Sequence, residues 1–192
     1  VLKPFLFGLS LSLSLLASSV VSASSLDISL SSKTANFTFL SDASALGSGG
    51  ADIGVGVFYD DSSNYMANAN ILVLGHPASE ALPVQLGVGA KAYVASLEGT
   101  DESVAAVGLG GIARYIVPAE IPVGLTLEAY YAPAITSFAD TEEVAQVEAR
   151  VEVNVMPAAR AYLGYRYLKT RLNLGGDVVL DDRLHLGIRL SF

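Results

Sequence analysis

Cysteine is missing from all 192 residues, which excludes a disulfide framework and a thiol-attached lipid. Stability therefore has to come from packing and backbone hydrogen bonding. Basic residues are few. Eleven lysines and arginines stand against nineteen aspartates and glutamates, a balance that the phosphates of nucleic acid would repel. Histidine occurs twice, at His76 and His185, which leaves little material for a histidine-based catalyst. Long apolar runs are scarce as well: after residue 23 no uninterrupted stretch reaches the ~20 residues that a membrane helix needs. Yet 52% of the chain is hydrophobic. A chain that is apolar on average and free of spanning helices suggests a closed β-barrel, because only helices and closed barrels satisfy every backbone polar group in lipid.

Residues 1–23 read as a signal peptide that is removed, with Lys3 as a basic start, an apolar run from Phe5 to Leu16, and small residues at Val21-Ser22-Ala23 for the peptidase. The expected domain organisation is thus a signal peptide over 1–23 and one barrel over 24–192. Within the barrel the apolar residues recur with period two. Ala145, Val147, Ala149, Val151, Val153 and Val155 fall on one face and Gln146, Glu148, Arg150, Glu152 and Asn154 on the other. Helical spacing would scatter those charges around a cylinder, so a strand is the reading. The same alternation runs through 52–59, 65–75, 84–94, 105–115, 123–131, 159–168 and 183–192, giving eight strands. Two short segments, 26–30 and 35–40, are out of phase with each other, as two strands joined by a tight turn at 31–34 should be. The expected fold is all-β, an antiparallel up-and-down transmembrane barrel of about ten strands, with eight as the fallback.

The links between strands alternate in kind. Those at 76–83, 118–122 and 156–158 are short and contain proline, whereas those at 60–64, 98–102, 134–143 and 170–182 are mostly acidic. Such alternation suits periplasmic turns at one rim and external loops at the other. A soluble lipocalin-like barrel would show the same period with its apolar face inward. Three features favour the membrane: a polar face crowded with glycines that suit a narrow lumen, tyrosines near strand ends (Tyr59, Tyr65, Tyr93, Tyr115, Tyr131) where an aromatic girdle would lie, and the terminal strand. There Leu184, Leu186, Ile188, Leu190 and Phe192 share one face. Leu186, Ile188, Leu190 and Phe192 resemble the C-terminal signal by which outer-membrane barrels are recognised and inserted.

These residues carry a family resemblance. Leu26-Asp27-Ile28-Ser29-Leu30, Leu86-Gly87-Val88-Gly89-Ala90-Lys91 and Leu127-Glu128-Ala129-Tyr130-Tyr131-Ala132-Pro133 contribute to it. It is strongest in Tyr162-Leu163-Gly164-Tyr165-Arg166-Tyr167 and in Asp181-Asp182-Arg183-Leu184-His185-Leu186-Gly187-Ile188-Arg189-Leu190-Ser191-Phe192. Over essentially the whole chain after the signal segment, the sequence resembles the YfaZ family of predicted outer-membrane proteins. The resemblance implies a barrel in the outer membrane and brings no activity, substrate or catalytic residue with it.

With the apolar face outward, the lumen would hold Lys91, Arg114, Glu128, Glu148, Arg150, Glu152, Arg160, Arg166, Arg183, His185 and Arg189. The expected arrangement is an internal ion-pair network filling a narrow barrel, since a buried charge left alone is costly. The alternative is a narrow porin-like path for small solutes. No catalytic residue is expected: His76 sits in a proline-flanked turn, and His185 lies among arginines that lower its basicity. The acidic links lack the spacing of a calcium loop and read as solvated segments, so neither metal nor cofactor is expected. The expected partners are outer-membrane lipid and lipopolysaccharide, with the barrel assembly machinery during biogenesis, and no nucleic acid. The expected function is a structural or interaction role in the outer membrane.

Overall fold

The computed structural model describes residues 24–43, 50–75, 83–97, 102–117, 123–173 and 176–192. The expected signal peptide, the link at 118–122, and most of the links at 76–83 and 98–102, with His76, lie outside them. Period-two alternation produces eleven strands: β1 (Ser24–Ser31), β2 (Thr34–Asp42), β3 (Ala51–Asp60), β4 (Tyr65–Leu74), β5 (Val84–Ser96), β6 (Ser103–Val117), β7 (Val123–Ala132), the short β8 (Ser137–Ala139), β9 (Thr141–Met156), β10 (Ala159–Leu172) and β11 (Gly176–Ser191).

Ten of these close into an antiparallel up-and-down barrel. Each pairs with its neighbours in the chain, β7 passes directly to β9, and the ring is completed where β11 meets β1. At that seam the backbones of Ser24 and Phe192 exchange two hydrogen bonds, of 3.1 and 2.9 Å. Closure leaves no barrel strand with an unpaired edge, which is the condition for crossing lipid with strands. The β8 strand stands outside the ring and pairs only with β6.

The two rims differ. The base rim carries Ser24, Asp42, Leu74, Val117, Met156 and Phe192, and the loop rim carries Ser31, Asp60, Ser96, Ala132 and Leu172. At the loop rim the β1–β2 turn is held by Ser31, whose hydroxyl accepts from the backbone N–H of Lys33 and of Thr34. The β3–β4 turn is held by Asp60, whose carboxylate accepts from the N–H groups of Ser62 and Asn64 and from the Asn64 amide. Both are side chain–backbone turns of the kind that Ser and Asp favour.

The outer face is apolar. Leu86, Val88, Leu109 and Leu186 are 60 to 70% exposed, and Val55, Val57, Leu127, Val151 and Leu163 lie on the same surface. A stripe of this extent around a closed sheet has lipid as its only sensible solvent. Tyr59, Tyr65, Tyr115 and Tyr131 lie on this face too, where a girdle belongs, but Tyr93 corrects the expectation: it points inward and is buried.

The links at 134–143 and 170–182 were expected as loops and are largely ordered. The first holds a single 3-10 turn (Ala134–Thr136), then β8 and the start of β9. In the second, β10 runs on to Leu172 and β11 starts at Gly176. The reason is a bulge: Leu168 pairs with Asp181 and Lys169 with Val179, so Leu180 is the extra residue and both Leu180 and Asp181 face inward. One extra residue shifts the phase of the alternation, and a strand interrupted in this way reads as a loop.

Candidate functional site

The lumen is the only enclosed chemistry among the described residues, and it has three parts. Inward-facing charges come first. Eight are acidic (Asp27, Asp42, Asp52, Asp60, Glu128, Glu148, Glu152, Asp181) and seven are basic (Lys91, Arg114, Arg150, Arg160, Arg166, Arg183, Arg189), so, His185 aside, the strand-borne lumen charges nearly balance, at one negative charge net.

The centre is Glu148 on β9, beside Arg150 on the same strand and opposite Arg166 on β10. Its carboxylate accepts from Arg166 Nε at 2.7 Å and lies 3.3 Å from Arg150 Nη1 and 3.4 Å from His185 Nε2. Arg150 spreads over four carboxylates: Glu148, Glu152 at 3.4 Å, Glu128 at 3.7 Å and Asp27 at 4.0 Å. Arg166 also reaches Ser29 and Asp181. Asp27 on β1 receives Arg189 at 2.6 Å, and the Tyr162 hydroxyl donates to it as well. Glu152 is shared with Arg160, and Lys91 pairs with Glu128 at 3.5 Å while lying over the rings of Tyr93 and Tyr130. Cross-strand register explains the meeting: Glu128 is the Cα partner of Glu148, and Glu148 that of Arg166. Like carboxylates placed side by side are tolerated because Arg150 stands between them and pairs with both.

Small residues make room for this network. A Cβ at Gly187 would overlap the ring of Tyr162, and one at Gly164 would crowd His185 and Arg150. Both glycines sit where a neighbouring strand lays a large side chain across the wall.

The second part was not anticipated. Towards the loop rim the inward positions turn apolar, and thirteen buried residues, among them Phe58, Met66, Val104, Val144, Leu168 and Leu180, form a single cluster inside the barrel. Tyr93 closes the cluster onto the charged part by donating to Gln146 at 2.9 Å. The loop-rim end of the lumen is thus filled largely by an apolar plug, with buried Thr34, Asp60, Thr170 and Asp181 beside it.

The third part is a cavity of about 140 Å³ between plug and base rim, partly open to solvent. Lys91, Arg114, Glu128 and Arg150 border it on one side, and Asn36, Thr38, Asn68, Asn70 and Asp52 on the other. The amide wall exists because Gly54 and Gly56 on β3 leave space for the side chains of Asn70 and Asn68 from β4.

All ten expected lumen charges, and His185, face inward. Nine of the ten join ion pairs; among the described residues Arg114 does not, and it donates one long hydrogen bond of 3.5 Å to Thr126. Leu186, Ile188 and Leu190 lie on the outer face, and Phe192 packs near Phe39 with ring centroids 6.4 Å apart. The sequence reading missed the lumen acids Asp27, Asp42, Asp52, Asp60 and Asp181. The first four sit on short strands with few charges to mark the polar face, and Asp181 sits at the bulge. The asparagine alternation at Asn68 and Asn70 was a usable signal.

A closed ten-stranded antiparallel barrel, apolar outside and ion-paired inside, defines the class: a small transmembrane β-barrel of the outer-membrane type. The chain belongs to the YfaZ family, whose model, described as YfaZ precursor, matches residues 4–192. Among solved structures the chain is similar to the outer membrane channel DcaP of Acinetobacter baumannii, with 15% identity and a TM-score of 0.40 over 86% of this chain and 54% of that one. It is also similar to a chain from work on the in-meso crystallization of membrane proteins, with 10% identity and a TM-score of 0.40 over 89% of this chain and 83% of that one. The chain spans about half the length of DcaP. Among curated proteins no sequence matches it.

Proposed function

We propose that this protein resides in the bacterial outer membrane as a non-catalytic barrel with a structural or interaction role, its lumen closed to the free passage of solutes. The observation that carries this reading is the thirteen-residue apolar plug stacked on the Glu148–Arg150–Arg166 network. A solute would have to cross an apolar segment and part charges that hold one another in place. The base rim, on which the proline-containing links of the sequence fall, faces the periplasm in this reading, and the loop rim faces lipopolysaccharide. Lipid packs on the outer stripes, and the outward ladder of Leu186, Ile188, Leu190 and Phe192 is the segment offered to the barrel assembly machinery.

A narrow channel is the second reading, and the partly open cavity is what favours it. Planar-bilayer recording decides between them. The purified barrel should give no steady conductance steps. Large, stable single-channel steps from protein free of contaminating porin would overturn the closed reading.

A further inference from the structure

Most charged side chains that face the lumen join an ion pair within 4 Å; two that border the cavity do not, and act on each other only at longer range. Arg114 on β6 and Asp52 on β3 make no ion pair among the described residues, and both border the cavity. Between their strands lie β4 and β5; β4 presents the amides of Asn68 and Asn70 to the same space, and neither amide has a hydrogen-bond partner among the described residues. The cavity therefore offers a guanidinium and a carboxylate with no ion contact within 4 Å, and two amides without hydrogen-bond partners among the described residues that each donate and accept.

We propose that this cavity is a binding site for a small zwitterion of the α-amino-acid class, its carboxylate received by Arg114, its ammonium by Asp52, and its remaining polar atoms by Asn68 and Asn70. A simple anion would engage Arg114 alone and a simple cation Asp52 alone, whereas a ligand carrying both charges engages both. An uncharged polyol would bring an opposite charge to neither. Size agrees: at 10–15 Å³ for each water-sized position, 140 Å³ holds on the order of ten waters, which matches a molecule of about ten heavy atoms. Arg114 presents the planar fork that grips a carboxylate with two parallel hydrogen bonds. Gly54 belongs to the site as well, because a side chain there would collide with the Asn70 amide. The cavity reaches solvent on its own side of the plug, so the site does not require a conducting barrel.

The test uses the full barrel folded in detergent and L-glutamine as the probe, read by titration calorimetry. Saturable binding is expected, at least tenfold weaker in both Arg114→Gln and Asp52→Asn. N-acetyl-L-glutamine, which keeps only the negative charge, and glucose, which has none, should not saturate. Heat-modifiable gel mobility checks that each variant is folded. Should a variant fail to fold, the wild-type protein still answers: glutamine should shift the side-chain amide resonances of Asn68 and Asn70. Absence of saturable glutamine binding, full affinity in either folded variant, equal binding of the acetylated or neutral probe, or unmoved amide resonances would each overturn the assignment.

Discussion

Two ion networks in this barrel pair the same kinds of charged group at similar distances and differ in where they stand. In the lumen, Arg166 meets Glu148 at 2.7 Å with both groups buried. On the outside of the loop rim, Lys169 meets Asp177 at 2.7 Å, and Arg171 meets both Asp177 and Glu143 at 3.1 Å, with Asp177 about half exposed. Contact length cannot rank the two. In the lumen each charge has lost water and depends on its partners, so removing one member leaves the others stranded. On the rim, water and salt replace any partner that is lost, and two flexible side chains must be held still to make the contact. The lumen network therefore fixes how the walls face each other, while the rim network decorates strands that extend past the tyrosine belt. Tyr131 marks that boundary, with its ring on the outer face and its hydroxyl donating to Glu143 at 3.0 Å.

The sharpest way to break the comparison is at its centre. Glu148→Gln keeps the shape of the side chain but leaves Arg166 and Arg150 short of a counter-charge, and should lower stability by about 3–5 kcal/mol. Reversible urea unfolding in lipid vesicles measures it; a loss no larger than that of a rim substitution would mean that water reaches the network. Next in size is the sidedness of the sheet itself. Val151→Arg places a charge on the lipid face and should cost about 2–4 kcal/mol if Val151 lies near the bilayer midplane. Asn154→Arg, three residues further on the inward face near the base rim, should cost less. Equal costs in the same assay would mean the faces are reversed.

How far the sequence carried the reading follows from these same residues. Val151 and Glu152 could be assigned to opposite faces because β9 alternates without interruption, and the ten strands were legible wherever alternation was clean. Glu128, Glu148 and Arg166 were legible as lumen groups for that reason, yet their meeting was not, since cross-strand register is set by turns whose length the sequence leaves open. The plug was hidden by its own composition. Phe58, Met66 and Leu168 occupy inward positions but are as apolar as the lipid face, so near the loop rim hydrophobicity stops reporting direction. That Arg114 and Asp52 make no ion contact within 4 Å was hidden more deeply, because a missing contact is a property of the three-dimensional inventory and not of any segment.

The smallest effect belongs to the rim, and it gives the comparison its control. Hydrogen bonds from Lys169 and then Arg171 hold the Asp177 carboxyl below the ordinary carboxylate range. A group whose folded value is depressed contributes stability above its unfolded value and loses that contribution as pH falls through the folded value. Acidification through the carboxylate range should therefore remove what the rim network supplies, and Asp177→Asn should remove it at neutral pH. Because these groups are surrounded by water, the change should be small and should vanish in 1 M salt, where the Debye length falls to about 3 Å. The same salt should leave the cost of Glu148→Gln nearly unchanged, since buried pairs such as Glu148 and Arg166 are screened much less than exposed ones. The measurement is a pair of unfolding curves for each variant, at low and high salt. If salt were to erase both differences alike, the lumen network would be as wet as the rim, and burial would not be what separates the two.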